Sequence, residues 1–183
     1  MNPRDEDESY IIQRENIKAL ILDMISASFE TTSVAIVWAF SEILRNPRVM
    51  VRLQQELEAV VGRNRLVEES DLPKLTYLDM VVKESLRLHP VGAFLIPHES
   101  MEDIVVNGYF IPKKSRILVN TWSMGRDPNI WSKNAEEFLP ERFMDGKIDL
   151  RGHHFELIPF GSGRRGCPGM QLALVSMRLV YLN

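Results

Sequence analysis

Apolar positions recur with a helical period through the first half of the chain. Ile17, Leu20, Ile21 and Met24 fall at i, i+3, i+4 and i+7, which draws one apolar stripe along a helix. The spacing predicts a long helix from about Arg14 to Leu44, weakened at Ser26-Ala27-Ser28 and resumed over Val34–Phe40. Pro47 suits a first helical position and Gly62 a stop, so a second helix is expected over Pro47–Val61. Its apolar face is Val49, Leu53, Leu57 and Val60. Ser70-Asp71-Leu72-Pro73 is turn chemistry, and a third helix is expected over Leu75–Leu88. Pro90 closes it, because the residue before a proline is pushed out of the helical region.

The period then shortens. Ile104-Val105-Val106 and Tyr109-Phe110-Ile111 flank Asn107-Gly108, a pair that supplies two positive φ values and so predicts a hairpin. Arg116–Asn120 is a candidate strand, and Val91–Ile96 reads as an ordinary buried strand. Residues from Asp127 to Gly163 read as irregular, and a last helix is expected from near Pro168 onward. The fold class is therefore mainly α with small β-sheets. Residues 1–13 are expected to be an acidic, flexible segment and residues 14–183 a single folded unit.

Composition narrows the function. The chain has 183 residues, 45% of them hydrophobic and 26% charged, with a formal net charge of −3. That is enough apolar material for a core and too little basic charge for a dedicated nucleic-acid binder. One cysteine excludes an internal disulfide framework and a Cys-only zinc cage. A spanning helix needs about 20 mostly apolar residues. The longest uninterrupted apolar run, Val34–Phe40, falls well short, so no spanning segment is expected. Met1–Tyr10 is acidic and has no hydrophobic stretch, so a secretory signal is not expected either.

The single cysteine sits in Phe160-Gly161-Ser162-Gly163-Arg164-Arg165-Gly166-Cys167-Pro168-Gly169. So many glycines carry an entropic cost that makes sense where backbone must bend and approach something flat. Gly166 and Gly169 are expected to leave their amides free toward the sulfur. Arg164, Arg165 and the N-terminus of the following helix add positive potential, which favours thiolate. Cys167 also admits a plainer reading as a structural cysteine at a helix start.

The pattern Phe160-x-x-Gly163-x-Arg165-x-Cys167-x-Gly169 resembles the haem-ligand loop of the cytochrome P450 superfamily. Glu84-Ser85-Leu86-Arg87 resembles that family's Glu-x-x-Arg, and Pro140-Glu141-Arg142-Phe143 its Pro-Glu-Arg-Phe segment. Ala27-Ser28-Phe29-Glu30-Thr31-Thr32 is similar to its oxygen-binding helix. Ser28 stands where the family usually has glycine, and Glu30 where aspartate is commoner. The wording of Asp71–Leu75 and Phe160–Gly169 is closest to the plant microsomal branch.

The resemblance implies a C-terminal part of the cytochrome P450 fold and a haem-thiolate monooxygenase. Such an enzyme inserts one atom of dioxygen into an apolar small molecule. It implies haem b ligated by Cys167, with Phe160, Gly161 and Gly169 forming the loop around it and Arg165 and His98 facing the propionates. Glu30 and Thr31 become a proton relay, the Thr31 hydroxyl being able to bond back to the turn before it and so open the helix. Val91–Ile96 resembles a segment that lines the substrate pocket. Glu84, Arg87 and Arg142 become a buried brace. Electrons come from NADPH through a separate reductase. The full-length type is expected on the cytosolic face of the endoplasmic reticulum membrane, held by an N-terminal anchor. The alternative is a fragment that does not bind haem alone. A cysteine hydrolase pairing Cys167 with His89, His98, His153 or His154 leaves the Arg-Gly run and Glu84/Arg87 unexplained.

Overall fold

The computed structural model describes residues 12–181. The expectation for the acidic segment falls almost wholly outside them. Helix α1 spans Arg14–Arg45, α2 Pro47–Val60 and α3 Thr76–Leu88. Four short strands follow: β1 His98–Glu99, β2 Ile104–Val106, β3 Tyr109–Ile111 and β4 Arg116–Ile117. Two single-turn helices, α4 Thr121–Met124 and α5 Pro128–Trp131, precede the closing helix α6, Met170–Val180.

The helix ends follow local chemistry. Pro47 opens α2, and the amides of Val61 and Gly62 both return to the Leu57 carbonyl, with Gly62 at φ +81°. The turn at Glu69–Lys74 winds into a 3-10 helix. Helix α3 has no capping side chain of its own. Glu56 of α2 replaces it, accepting from the backbone N–H of Tyr77 at 2.7 Å and of Leu78 at 3.0 Å.

The hairpin pairs Ile104 with Ile111, Val105 with Phe110 and Val106 with Tyr109, and both Asn107 and Gly108 have positive φ. Strand β4 is shorter than expected and pairs with β1. It stops because Asn120 caps α4, accepting from the Ser123 N–H at 3.0 Å. Val91–Ile96 forms turns without a strand, and Phe94 and Ile96 are exposed. The Thr121 hydroxyl donates to the carbonyls of Gly92 and Ala93, which hold the segment in that looped path.

Helix α3 is the central post. Leu78, Val81 and Leu88 face a cluster with Ile43, Val49, Leu53 and Phe138. Val82 and Leu86 face a second cluster with Ala35, Trp131, Phe143, Leu174 and Met177. A helix packed on two sides needs apolar residues around most of its girth, and α3 is buried at nine positions.

Helix α1 corrects the sequence expectation about membrane spans. It is long and apolar enough to cross a bilayer by length and composition. Counting uninterrupted apolar runs missed this, because Ser and Thr interrupt the runs without making the segment polar. Its C-terminal half packs on the fold through Ala35, Ala39 and Ile43. Its N-terminal half leaves Leu20, Ile21, Met24 and Phe29 exposed.

Candidate functional site: the cysteine loop and its brace

The Phe160–Gly169 loop is bent by glycines. Gly161 and Gly163 have φ of +72° and +68°, in the left-handed region that side chains disfavour. The Cys167 N–H donates to the Phe160 carbonyl at 2.8 Å and closes the loop on itself. The Gly166 N–H donates to the Gly163 carbonyl at 3.1 Å, so it is not free for the sulfur as expected. Ser162 Oγ ties the loop to the Gly152 carbonyl at 2.6 Å. Phe160 packs against the second core cluster, and Cys167 is a free, exposed thiol.

Gly169 is the N-cap of α6, so the helix begins later than Pro168. A side chain at Gly169 would place its first carbon 3.9 Å from the sulfur. Glycine there leaves that side of the thiol uncovered. Arg164 and Arg165 lie on an exposed 3-10 turn, Gly163–Arg165.

The brace is buried. Arg87 and Glu84 have fully buried side chains and pair bidentately, Nε to Oε2 at 2.7 Å and Nη2 to Oε1 at 2.8 Å. Arg87 also donates to the carbonyls of Gly125, Ala135 at 2.7 Å and Glu137 at 3.1 Å. Glu84 Oε1 accepts from the Leu139 N–H at 2.7 Å and from Arg142 Nε at 3.1 Å. Arg142 reaches on to the Trp131 carbonyl at 2.8 Å and to Asn134. Buried charges are tolerated when paired and fully hydrogen-bonded, and a guanidinium fork suits several carbonyls at once. Here α3 is tied to the irregular segment that leads toward the cysteine loop.

Other expected residues are placed apart. Glu30 and Thr31 are exposed on α1. Thr31 Oγ1 donates to the Ala27 carbonyl at 2.7 Å, and the helix runs unbroken through it. The expected bond back to the preceding turn is present, and the helix stays continuous through it. The hydroxyl of Ser28 is likewise turned back, onto the Ile25 carbonyl at 3.2 Å. His98 is exposed in β1, opposite Ile117. Among the described residues no hydrogen bond or ion pair joins Glu30, Thr31, His98 or any other histidine to Cys167.

A family model described as "Cytochrome P450" matches residues 1–182. The chain belongs to the cytochrome P450 family. It is 59% identical over 179 residues to cytochrome P450 CYP736A12 of Panax ginseng and 48% identical over 180 residues to cytochrome P450 71A1 of Persea americana. Each alignment covers 98% of this chain and 36% of the relative, so the chain spans little more than a third of their length. Among solved structures, a zebrafish cytochrome P450 with abiraterone superposes with a TM-score of 0.82 at 35% identity. That match covers 93% of this chain and 39% of the other. The fold is thus a segment of the cytochrome P450 fold, mainly α with small sheets.

Three clusters in this P450 segment were not foreseen. His89 Nε2 meets Glu42 Oε1 at 2.9 Å while its ring stacks on Trp38. Tyr77 donates to Glu141 Oε1 at 3.0 Å, where Arg48 and Arg52 also converge. Burial and the Glu141 carboxylate push the Tyr77 phenol up to about 12. Burial works to raise the Glu141 carboxyl, but its backbone, Arg48 and Tyr77 hold it below its ordinary value. Asp79 binds Arg178 of α6. Each of the three joins residues 47 to 99 positions apart, so no local pattern announces them.

The donor set fits a flat, thiolate-ligated group. It offers one exposed sulfur, glycine beside it, and a loop closed by its own backbone.

Proposed function

We propose that this chain carries the haem-ligating segment of a haem-thiolate monooxygenase acting on an apolar small molecule. The observation that supports it most is Cys167, an exposed thiol on a glycine loop directly before α6, in a chain of the cytochrome P450 family. Haem b bound there supplies dioxygen activation: one oxygen atom enters the substrate and the other leaves as water, with an electron pair from NADPH delivered by a separate reductase.

The chain's own residues divide the remaining work. Cys167 donates its sulfur, while Gly161 and Gly169 let a flat ring approach and Phe160 anchors the loop. Arg165 and His98 would be the residues that meet the propionates. Thr31 Oγ1, already donating to Ala27, keeps its lone pairs to accept from water, and with Glu30 one residue earlier it would form the proton relay. Glu84, Arg87 and Arg142 brace the loop without touching substrate. Val91, Ala93, Phe94 and Leu95 favour an apolar substrate. The full-length type resides on the cytosolic face of the endoplasmic reticulum membrane.

In the full-length protein carrying this sequence, Cys167→Ala should abolish the strongly red-shifted Soret band of the reduced carbonyl complex. Retention of that band would sink the assignment.

A second reading has its own support. Phe29 is 83% exposed and Leu20 58%, part of a long apolar strip on α1. Exposed patches above a few hundred Å² drive association in soluble proteins. The 183-residue chain by itself is then an inactive fragment that aggregates and takes up haem poorly. A monomeric chain that turned over substrate with reductase and NADPH would refute this.

A further inference from the structure

We infer that Asp79 and Arg178 are a positioning pair that sets where Cys167 stands; the inference rests on the haem-thiolate reading of that cysteine. The loop itself has few anchors. Between Gly163 and Gly169 every residue except Gly166 is exposed, and the ties within the loop are the backbone bonds of Gly166 and Cys167. Its C-terminal end therefore goes where α6 goes.

Helix α6 fully buries Leu174 and Met177 and packs Met170, Val175 and Leu179, partly buried, against the two core clusters. Apolar contacts of that kind are non-directional and permit a helix to roll or slide. Direction comes from the far end of the helix. Arg178 Nη2 donates to Asp79 Oδ1 on α3, and one turn later Tyr181 donates to the Ala35 carbonyl of α1 at 3.2 Å. These bonds tie α6 to two different helices and so define both its roll and its axial position.

The Asp79 carboxylate is itself held. Lys83, one turn along α3, binds Oδ2 at 3.0 Å and lies 5.9 Å from the Phe143 ring. Five and eight residues past Asp79 come Glu84 and Arg87, so the anchor stands on the braced helix. Arg178 Nε is buried with no hydrogen-bond partner. Packing alone would be served as well by an apolar side chain that strands no N–H. The guanidinium is there for its bond to Asp79. An eleven-residue helix is about 16 Å long, so a tilt of about 10° at the Arg178 end moves the cysteine end by about 3 Å. That displacement exceeds what a metal–sulfur bond tolerates.

The test uses the full-length holoprotein carrying this sequence. Arg178→Met, Asp79→Asn, Arg178→Lys and the reversed pair Asp79→Arg with Arg178→Asp are compared with wild type. The readouts are haem content, the share of reduced carbonyl complex lacking the thiolate red shift, and the unfolding midpoint. Arg178→Met and Asp79→Asn should raise the non-thiolate share several-fold at unchanged haem content. The reversed pair should bring it back, and Arg178→Lys, which keeps charge but not the fork, should fall between. Variants that keep the wild-type share, or that lower the unfolding midpoint alone, overturn the positioning role while leaving the cysteine ligand in place. If Arg178→Met fails to fold, an unchanged share in Arg178→Lys overturns it as well. A wild-type holoprotein without any thiolate band overturns both readings.

Discussion

The indole of Trp38 lies flat on the imidazole of His89, with ring centroids 4.2 Å apart and planes 5° from parallel. His89 Nε2 meets Glu42 Oε1 at 2.9 Å, and Asn46 Nδ2 donates to the other oxygen at 3.1 Å. The ring thus joins the end of α3 to α1, and Glu42 carries the link on to Asn46 at the start of α2.

Burial lowers the His89 pKa, against the pull of Glu42 and with help from Arg126 and Arg45. The folded state therefore prefers the neutral ring, while the unfolded chain takes a proton near its ordinary value of 6.5. This contribution to stability is full above that value and is lost as pH falls through the lower folded one. Denaturant midpoints of the full-length protein followed downward from about pH 8 should drop below about pH 6.5. His89→Gln should flatten that part of the curve. An unchanged slope in the variant would show that His89 does not titrate with folding.

The brace predicts non-additive losses. Removing either Glu84 or Arg87 strands a buried charge, and each alanine variant should lose about 3–5 kcal/mol. The double variant should lose little more, because the groups share one network. Unfolding free energies of the two singles and the double decide this; simple addition would argue against a coupled unit.

Gly125 faces the same arginine from two directions. Its carbonyl accepts from Arg87 Nη1, and a Cβ on it would collide with the Arg87 carbonyl oxygen. Gly125→Ala should therefore cost about 1–3 kcal/mol despite adding one methyl. Gly92→Ala, whose nearest neighbour would be 3.8 Å away, should be close to neutral. Equal unfolding midpoints for the two variants would contradict the collision.

Glu56 caps a helix that is not its own. Besides the amides of Tyr77 and Leu78, it accepts from Thr76 Oγ1 at 3.2 Å. Glu56→Ala should destabilise the protein by about 0.5–2 kcal/mol, the range for losing a cap. Amide exchange should rise first at Tyr77 and Leu78. Fast exchange spread evenly over α3 would mean that the loss is not a capping loss.

Some of this was legible along the chain. The Asn107-Gly108 hairpin, the Pro47 start and Gly62 stop of α2, and the bent loop around Cys167 all depend on φ preferences acting within a few residues, so neighbouring residue types suffice to reveal them. The Glu84–Arg87 spacing also announced a shared helix face. What the chain could not declare is which partners distant residues would meet. The carbonyls that satisfy Arg87 belong to Gly125, Ala135 and Glu137, and any residue carries a carbonyl. Nor does anything near Asp79 name Arg178, which lies 99 residues away. Strand β4 ended early at an Asn120 cap, and Val91–Ile96 looped where an apolar run suggested a strand, because Thr121 holds its carbonyls. Local sterics act through a few bonds and are written in the neighbouring residues; ion pairs and caps between elements exist only once packing around α3 has brought their backbones within hydrogen-bonding distance.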